Sequence, residues 1–275
     1  MIERRWYALA RHAMVDALRL VRPGGGGTVL LPTFVCRDVV GAVRAAGMRE
    51  AWYEVTADLV PSALPDARHD VVVAVDYFGI AQDLAPFAAW AAVHGAVVLE
   101  DNAHGWLSRD PSGWRVRRAA GAAQRATRLP VFDAMQGAAR LARRLRTGSA
   151  LPVTGDEAER GVPGPAAAHA RSLAMAAAVD SVAESRRRRE RWQVAARECA
   201  RLGLRPVYPA LPPGAVPYGY PVRADEGRLG ALRRAARASG ATLMRWPDLP
   251  AAVRASAPAH HRDVWLLNFT TWVGQ

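Results

Sequence analysis

The sequence predicts an α/β fold with a mainly parallel sheet and a small α+β part at the C-terminus. Three observations predict it. Val71-Val72-Val73-Ala74-Val75 is an almost unbroken β-branched run, the pattern of a strand buried on both faces. A helical stretch and a second apolar run, Ala96-Val97-Val98-Leu99, follow it, and an earlier strand–helix–strand unit precedes it. Shorter mixed segments then occupy the chain beyond residue 203.

In order along the chain, residues Arg5 to Val21 have helical periodicity, with Trp6, Leu9, Ala13, Ala17 and Leu20 on one face. Pro23 and Gly24 to Gly27 end that helix. Thr28 to Leu31 is a buried-strand candidate, and a helix from Arg37 to Ala46 is stopped by Gly47. Ala51 to Val55 reads as a strand. After Val71 to Val75 comes Asp76-Tyr77-Phe78-Gly79, then a helix from Leu84 to Ala92, and Ala96 to Leu99 as a second buried strand. Residues 148 to 168 are rich in Gly, Pro and Ala and read as a linker. One long helix is expected over Arg171 to Leu202. Arg205 to Tyr208, Tyr218 to Arg223, a helix near Arg228 to Ala238 and Thr242 to Met244 complete the C-terminal part. The division expected is 1–165, a connecting stretch 166–184, and 185–275.

Composition bounds the chemistry. The chain has 275 residues, 51% of them hydrophobic, with 37 basic and 25 acidic side chains and a net charge of +12. Every one of those basic residues is arginine; there is no lysine. Without an ε-amine, no side chain can form a Schiff base with a carbonyl compound. Ile and Asn are scarce too, so a GC-rich coding bias contributes to the absence. Two cysteines, Cys36 and Cys199, make neither a disulfide framework nor a metal cage. No signal-peptide core and no membrane-length apolar run is present, so a cytoplasmic protein without membrane contact is expected. The run Arg186 to Arg189, with Arg191, reads as helix-surface charge rather than a nucleic-acid site. The pair His260-His261 is read as extended, which would point the two rings apart and disfavour a metal. Trp246, Trp265 and Trp272 are read as core.

Ligands of open parallel sheets sit at the carboxyl ends of the strands. Pro32 to Cys36, Asp76 to Gly79 and Asp101 to His104 all fall at such ends, which makes them one candidate pocket. Asp101 and His104 are candidates for acid–base work near neutral pH, with Asp76 and Tyr77 beside them. Cys36, Arg37, Arg11 and His12 are candidate ligand-binding residues; the two arginines and His12 would meet an anion at a helix start.

These segments resemble the DegT/StrS group of sugar aminotransferases. Val29 to Cys36, Val75 to Gly79, Tyr220 to Arg223 and Trp246 to Pro250 carry the likeness in order. His94-Gly95-Ala96-Val97-Val98-Leu99-Glu100-Asp101-Asn102-Ala103-His104-Gly105 carries it most strongly, matching the pattern HG-hydrophobic-ED-x-A-[HQ]-G. The resemblance implies a type I aminotransferase-like fold, a mainly parallel mixed sheet flanked by helices with a small α+β C-terminal domain. It implies that Asp101 would face a pyridine nitrogen, His104 would lie near the cofactor ring, and Phe34 or Cys36 would approach the ring face. It also implies a homodimer, because the family completes its site across the dimer interface, and a chain shorter than the family at the N-terminus.

The departures matter equally. The family's Schiff-base lysine aligns with Thr127 or Arg128, and its later phosphate-binding serine with Ala122 or Ala123. The early Ser-Gly phosphate segment corresponds only to Ala10-Arg11-His12-Ala13-Met14. No covalently held pyridoxal phosphate is therefore expected. The expectation is a cofactor-independent acid–base enzyme acting on a small metabolite of specialised or sugar biosynthesis, by dehydration, condensation, cyclisation or isomerisation. Thr127 is a further candidate for ligand contact. A non-catalytic partner of an active homologue, and an enzyme using non-covalent pyridoxal or pyridoxamine phosphate, are the alternatives.

Overall fold

The computed structural model describes residues 5–7, 9–105, 107, 108, 159, 167, 168 and 170–270. Thr127, Trp272, the positions aligned with the family's lysine and serine, and nearly all of the expected linker lie outside the described residues.

The first half builds one parallel sheet. Its strands are β1 (Thr28–Pro32), β2 (Arg49–Tyr53), β3 (Val71–Val75) and β4 (Val97–Asp101), in the order β2-β1-β3-β4. All three pairings are parallel. β3 is central and buried along its whole length, as its unbroken valine run requires. β4 was expected to be fully buried. It is instead the outer strand among the described residues, with Val97 exposed and the rest partly covered.

Helices α1 (Ala10–Val21), α2 (Arg37–Ala45) and α3 (Ala85–His94) flank this sheet. α1 starts at Ala10, not Arg5, and buries a different face from the one the periodicity suggested. Met14, Val15 and Leu18 point inward, while Trp6 and Leu20 are exposed. The larger side chains decide the face: alanines at 13 and 17 have little surface to bury. α3 stops at Gly95, whose φ of 64° caps the helix in the left-handed region.

The expected long helix is broken. α4 (Ala170–Ala177) and α5 (Ser181–Arg201) are separated at Asp180, which caps α5 by accepting from the amides of Val182 and Ala183, both at 3.0 Å. The side-chain carboxylate competes for backbone donors, so a new helix begins there.

The C-terminal sheet is antiparallel, with order β5 (Arg205–Pro206), β6 (Gly219–Arg223), β8 (Val264–Asn268), β7 (Thr242–Arg245). Helix α6 (Leu229–Ala238) and α5 bury Trp192, Ala195, Cys199, Leu232 and Ala235 in the core on one face of this sheet. β8 was not anticipated as a strand, and it joins the two halves. Trp265 and Leu267 belong to the core under α5 and α6, while Val264 and Leu266 belong to the core of the parallel sheet. Alternation along one strand thus serves two cores. Two short helices, α7 (Ala251–Arg254) and α8 (Ala259–Arg262), precede it.

The arginine run is only partly a solvated face. Arg186 is exposed beside Glu190, but Arg188 is fully buried and pairs with Glu184 at 2.8 Å. Arg187 and Arg191 donate to the carbonyl oxygen of Phe269 at 3.1 and 3.4 Å. They hold the end of β8 against α5. No described helix is long and apolar enough to cross a membrane.

Candidate functional site

A cleft of about 280 Å³ opens at the carboxyl ends of β1, β3 and β4. Its polar lining comes from Arg11, Cys36, Asp38, Asp76, Asp101 and His104, with Trp246 forming an aromatic wall. The parallel register creates this convergence. Val75 pairs with Asp101, and the amide of Asp76 donates to the Asp101 carbonyl oxygen at 3.0 Å, which places the two carboxyl-bearing residues at adjacent strand ends.

Asp101 accepts one side-chain hydrogen bond, from the amide of Ala103 at 3.1 Å. Burial raises its carboxyl above the ordinary range, and the Ala103 amide opposes that shift. Asp76 is 2% exposed and accepts from the amide of Gln82 at 2.9 Å. Burial pushes it up to about 8, with the nearby carboxylates of Glu100 and Asp101 adding to the rise. Near neutral pH this carboxyl keeps its proton.

His104 lies between aromatic rings. Tyr218 stacks on it at 4.2 Å between centroids, and Trp246 meets it edge-on at 5.1 Å. Its Nδ1 accepts from the amide of Phe78 at 3.3 Å. Burial lowers its pKa to about 4, so the imidazole is neutral near pH 7. This corrects the expectation of a histidine titrating near neutrality.

The other expected residues divide. Cys36, at the N-terminal boundary of α2, lines the cleft, and burial drives its thiol far above the ordinary range. Arg11 lines the cleft and pairs with Asp38 at 3.0 Å; its Nε has no partner among the described residues. Tyr77, Phe34, Arg37 and His12 do not line it. The Tyr77 hydroxyl donates to the carbonyl oxygen of Phe34 at 2.7 Å, inside the core, and burial raises its pKa far beyond use. Phe34 is fully buried and packs on Tyr77, Trp246 and His261, so it presents no face to a ligand. Arg37 is 3% exposed and bonds Asp248 and the carbonyl of Leu249. His12 lies in the inner face of α1. Tyr77, Phe34 and Arg37 are thus engaged by packing or by backbone and ion-pair partners, whereas His12 is buried with both ring nitrogens unpartnered among the described residues.

Trp246 was read as core alone, yet it is both buried and part of the cleft wall. Tyr218 carried no motif of its own, and only tertiary packing brings it to His104. His260 and His261 sit in a helical turn rather than an extended stretch, with His261 against Phe34. Among the described residues no group of three His, Cys, Asp or Glu is placed to hold a metal.

A parallel sheet flanked by helices, a cleft at its strand ends and an antiparallel C-terminal sheet define a type I aminotransferase-like fold. Its solved structural neighbours are sugar aminotransferases of the DegT/DnrJ/EryC1/StrS kind and related enzymes. 3-Amino-5-hydroxybenzoic acid synthase superposes with a TM-score of 0.62 at 18% identity, over 96% of this chain and 80% of that one. The Escherichia coli GDP-4-keto-6-deoxy-D-mannose-3-dehydratase, with bound hydrated pyridoxal phosphate, gives 0.60 at 10% identity over 96% and 83%. A DegT/DnrJ/EryC1/StrS aminotransferase from Brucella abortus gives 0.54 at 16% identity over 96% and 79%. No family profile and no curated protein matches the sequence. At these identities the likeness is one of fold.

Proposed function

We propose that this protein is an aminotransferase-fold enzyme that works without a Schiff base, binding a small carbonyl metabolite in the strand-end cleft and moving protons on it. One observation carries the reading: two carboxyl groups, the buried Asp76 and the partly buried Asp101, meet at adjacent strand ends in a chain that has no lysine.

Pyridoxal phosphate is the group that this fold implies, and the described residues do not fit it as a covalently held cofactor. No side-chain amine is available, and α1, which starts at Ala10 behind Leu9, has neither a side-chain cap nor a serine in its first turn to hold a phosphate. Arg11, an arginine that lines the cleft, is engaged by Asp38.

In the proposed reaction Asp101 is the base. Its raised pKa brings it toward the range where a carboxylate abstracts a proton efficiently. From an α-hydroxy carbonyl compound it removes the proton of the hydroxyl-bearing carbon and returns it to the former carbonyl carbon, while the hydroxyl proton passes to the former carbonyl oxygen. One C–H and one O–H bond break and one of each forms, so the outcome is an isomerisation with no net redox change. The Nε2–H of neutral His104 donates to the oxygen on which charge develops. Asp76 stays protonated, which limits the pair to one negative charge.

The test is solvent deuterium exchange into keto-sugars and small keto-acids, with Asp101→Asn as control. Exchange in the native protein that disappears in Asp101→Asn supports the reading; no exchange with any carbonyl compound overturns it. The retained carboxyl at Asp101 also favours a second reading, non-covalent pyridoxal phosphate. A saturable shift of its visible spectrum, lost in Asp101→Ala, would establish that reading instead.

A further inference from the structure

The stack on His104 comes from the other half of the molecule. Tyr218 directly precedes β6 of the antiparallel sheet, whereas His104 follows β4 of the parallel one. A single turn, Tyr77-Phe78-Gly79, brings them together. Phe78 has φ of 58° and Gly79 has φ of 90°, both left-handed, and at Phe78 this conformation is strained for a side-chain-bearing residue. Four hydrogen bonds surround that turn. The Tyr218 amide donates to the Phe78 carbonyl oxygen at 2.7 Å, and the Phe78 amide donates to His104 Nδ1 at 3.3 Å. The Ser108 hydroxyl donates to the Gly79 carbonyl oxygen at 2.7 Å and accepts from the Val216 amide at 2.9 Å. At Gly79 any Cβ would lie 2.4 Å from the Val216 carbonyl oxygen, so the two segments touch directly.

An amide can donate only to an unprotonated ring nitrogen. With Nδ1 accepting from Phe78, the proton of a neutral imidazole sits on Nε2. That atom has no partner among the described residues, and the ring lines the cleft. We infer that Tyr218 is a positioning residue: stacked on His104 and tied to Phe78 through its own amide, it locks the imidazole as a neutral Nε2–H donor aimed at a ligand oxygen. The role of that donor rests on the proposed carbonyl chemistry; the lock itself does not. The titratable groups lining the same cleft are Asp101, Asp76, Cys36, Asp38 and Arg11. Burial lowers the His104 pKa, and Tyr218 at 4.2 Å is nearer to its ring than Trp246 at 5.1 Å or Phe78 at 6.1 Å, so removing the Tyr218 ring should relieve part of that shift.

The test is nitrogen-15 spectroscopy of the histidine rings between pH 4 and pH 8, in the native protein, Tyr218→Phe and Tyr218→Ala. The native protein and Tyr218→Phe should show His104 neutral, with its proton on Nε2, down to about pH 5. Tyr218→Ala should show mixed tautomers and a midpoint moved up toward 6.5, the value of a free imidazole. An unchanged His104 in Tyr218→Ala overturns the inference. So does a Tyr218→Phe variant that loses the lock, because the stack and not the hydroxyl is the proposed agent. Should Tyr218→Ala fail to fold, Tyr218→Leu, which fills the space without an aromatic face, is read in its place by the same criteria. If the tautomer behaves as described while no carbonyl compound exchanges deuterium, the catalytic reading fails and the lock stands.

Discussion

Arg37 and Asp248 are joined at 2.8 Å across 211 residues of sequence, at the start of α2 and just beyond β7. The backbone amide of Arg37 donates to the Asp248 carbonyl oxygen at 3.0 Å, and its guanidinium also reaches the Leu249 carbonyl oxygen at 3.4 Å. The arginine is almost wholly buried, while its carboxylate partner is 40% exposed. Together they tie the strand-end face of the parallel sheet to the segment that carries Trp246.

Arg37→Ala should therefore behave as a structural lesion. Removing the buried guanidinium breaks its 2.8 Å bond to Asp248 and empties the space it fills, a loss of about 2 kcal/mol or more, while the Leu249 carbonyl oxygen keeps Arg254 Nε as a donor at 3.3 Å. Asp248→Asn, which keeps an acceptor at the same place, should cost about 1 kcal/mol or less. Urea denaturation of both variants measures the difference.

Asp76 predicts a pH dependence with a defined sign. Its folded pKa of about 8 lies above the unfolded value of 3.8, so between those values the folded state holds a proton that the unfolded state has released. Stability contributed by the protonated carboxyl is complete at low pH and is lost as pH rises toward 8. Asp76→Asn, which retains an acceptor for the Gln82 amide, should lose less stability between pH 5 and pH 8, by about 1 to 3 kcal/mol. Equal losses in both proteins would remove Asp76 as the titrating group. His104 acts at the other end: its folded pKa is below the unfolded one, so its contribution disappears as pH falls from 6.5 toward 4.

Gly79→Ala should destabilise the protein by about 2 kcal/mol or more, because φ of 90° and the Val216 carbonyl oxygen both exclude a Cβ. The same variant should perturb the His104 ring, since that turn carries the Phe78 amide. Thermal unfolding with ring spectroscopy checks both effects.

The two thiols should be slow to react. Burial raises Cys36 far above the ordinary range and Cys199 to about 12, so little thiolate exists at pH 8. Alkylation of the native protein by iodoacetamide should lag well behind that of the urea-unfolded chain at the same pH. Rapid labelling of Cys36 in the folded protein would contradict this.

The parallel sheet was legible because its strands are short apolar runs punctuated by glycine and acidic residues. Val71 to Val75 could hardly pack in any other way, and Gly47 and Gly95 stop their helices where expected. The strand-end location of Asp76, Asp101 and His104 followed from topology alone. The roles of individual side chains did not follow so well. Tyr77, Arg37 and Phe34 have residue types suited to binding, and nothing local reveals that each is already engaged by packing, a carbonyl oxygen or a carboxylate, or that His12 is buried away from the cleft. Tyr218 lies 114 positions from the imidazole it covers, beyond the reach of any spacing rule.

By itself, the sequence determined the class of sheet, the edge on which a ligand would sit, and one exclusion that no conformation can reverse: without lysine there is no side-chain amine. These depend on covalent composition and local periodicity, which the linear chain carries in full. Tertiary structure alone decided which polar groups remain free at that edge, that Asp76 keeps its proton, and that His104 is neutral and covered by Tyr218. Those properties depend on desolvation and on partners distant in the chain, and both exist only once the two sheets have packed against each other.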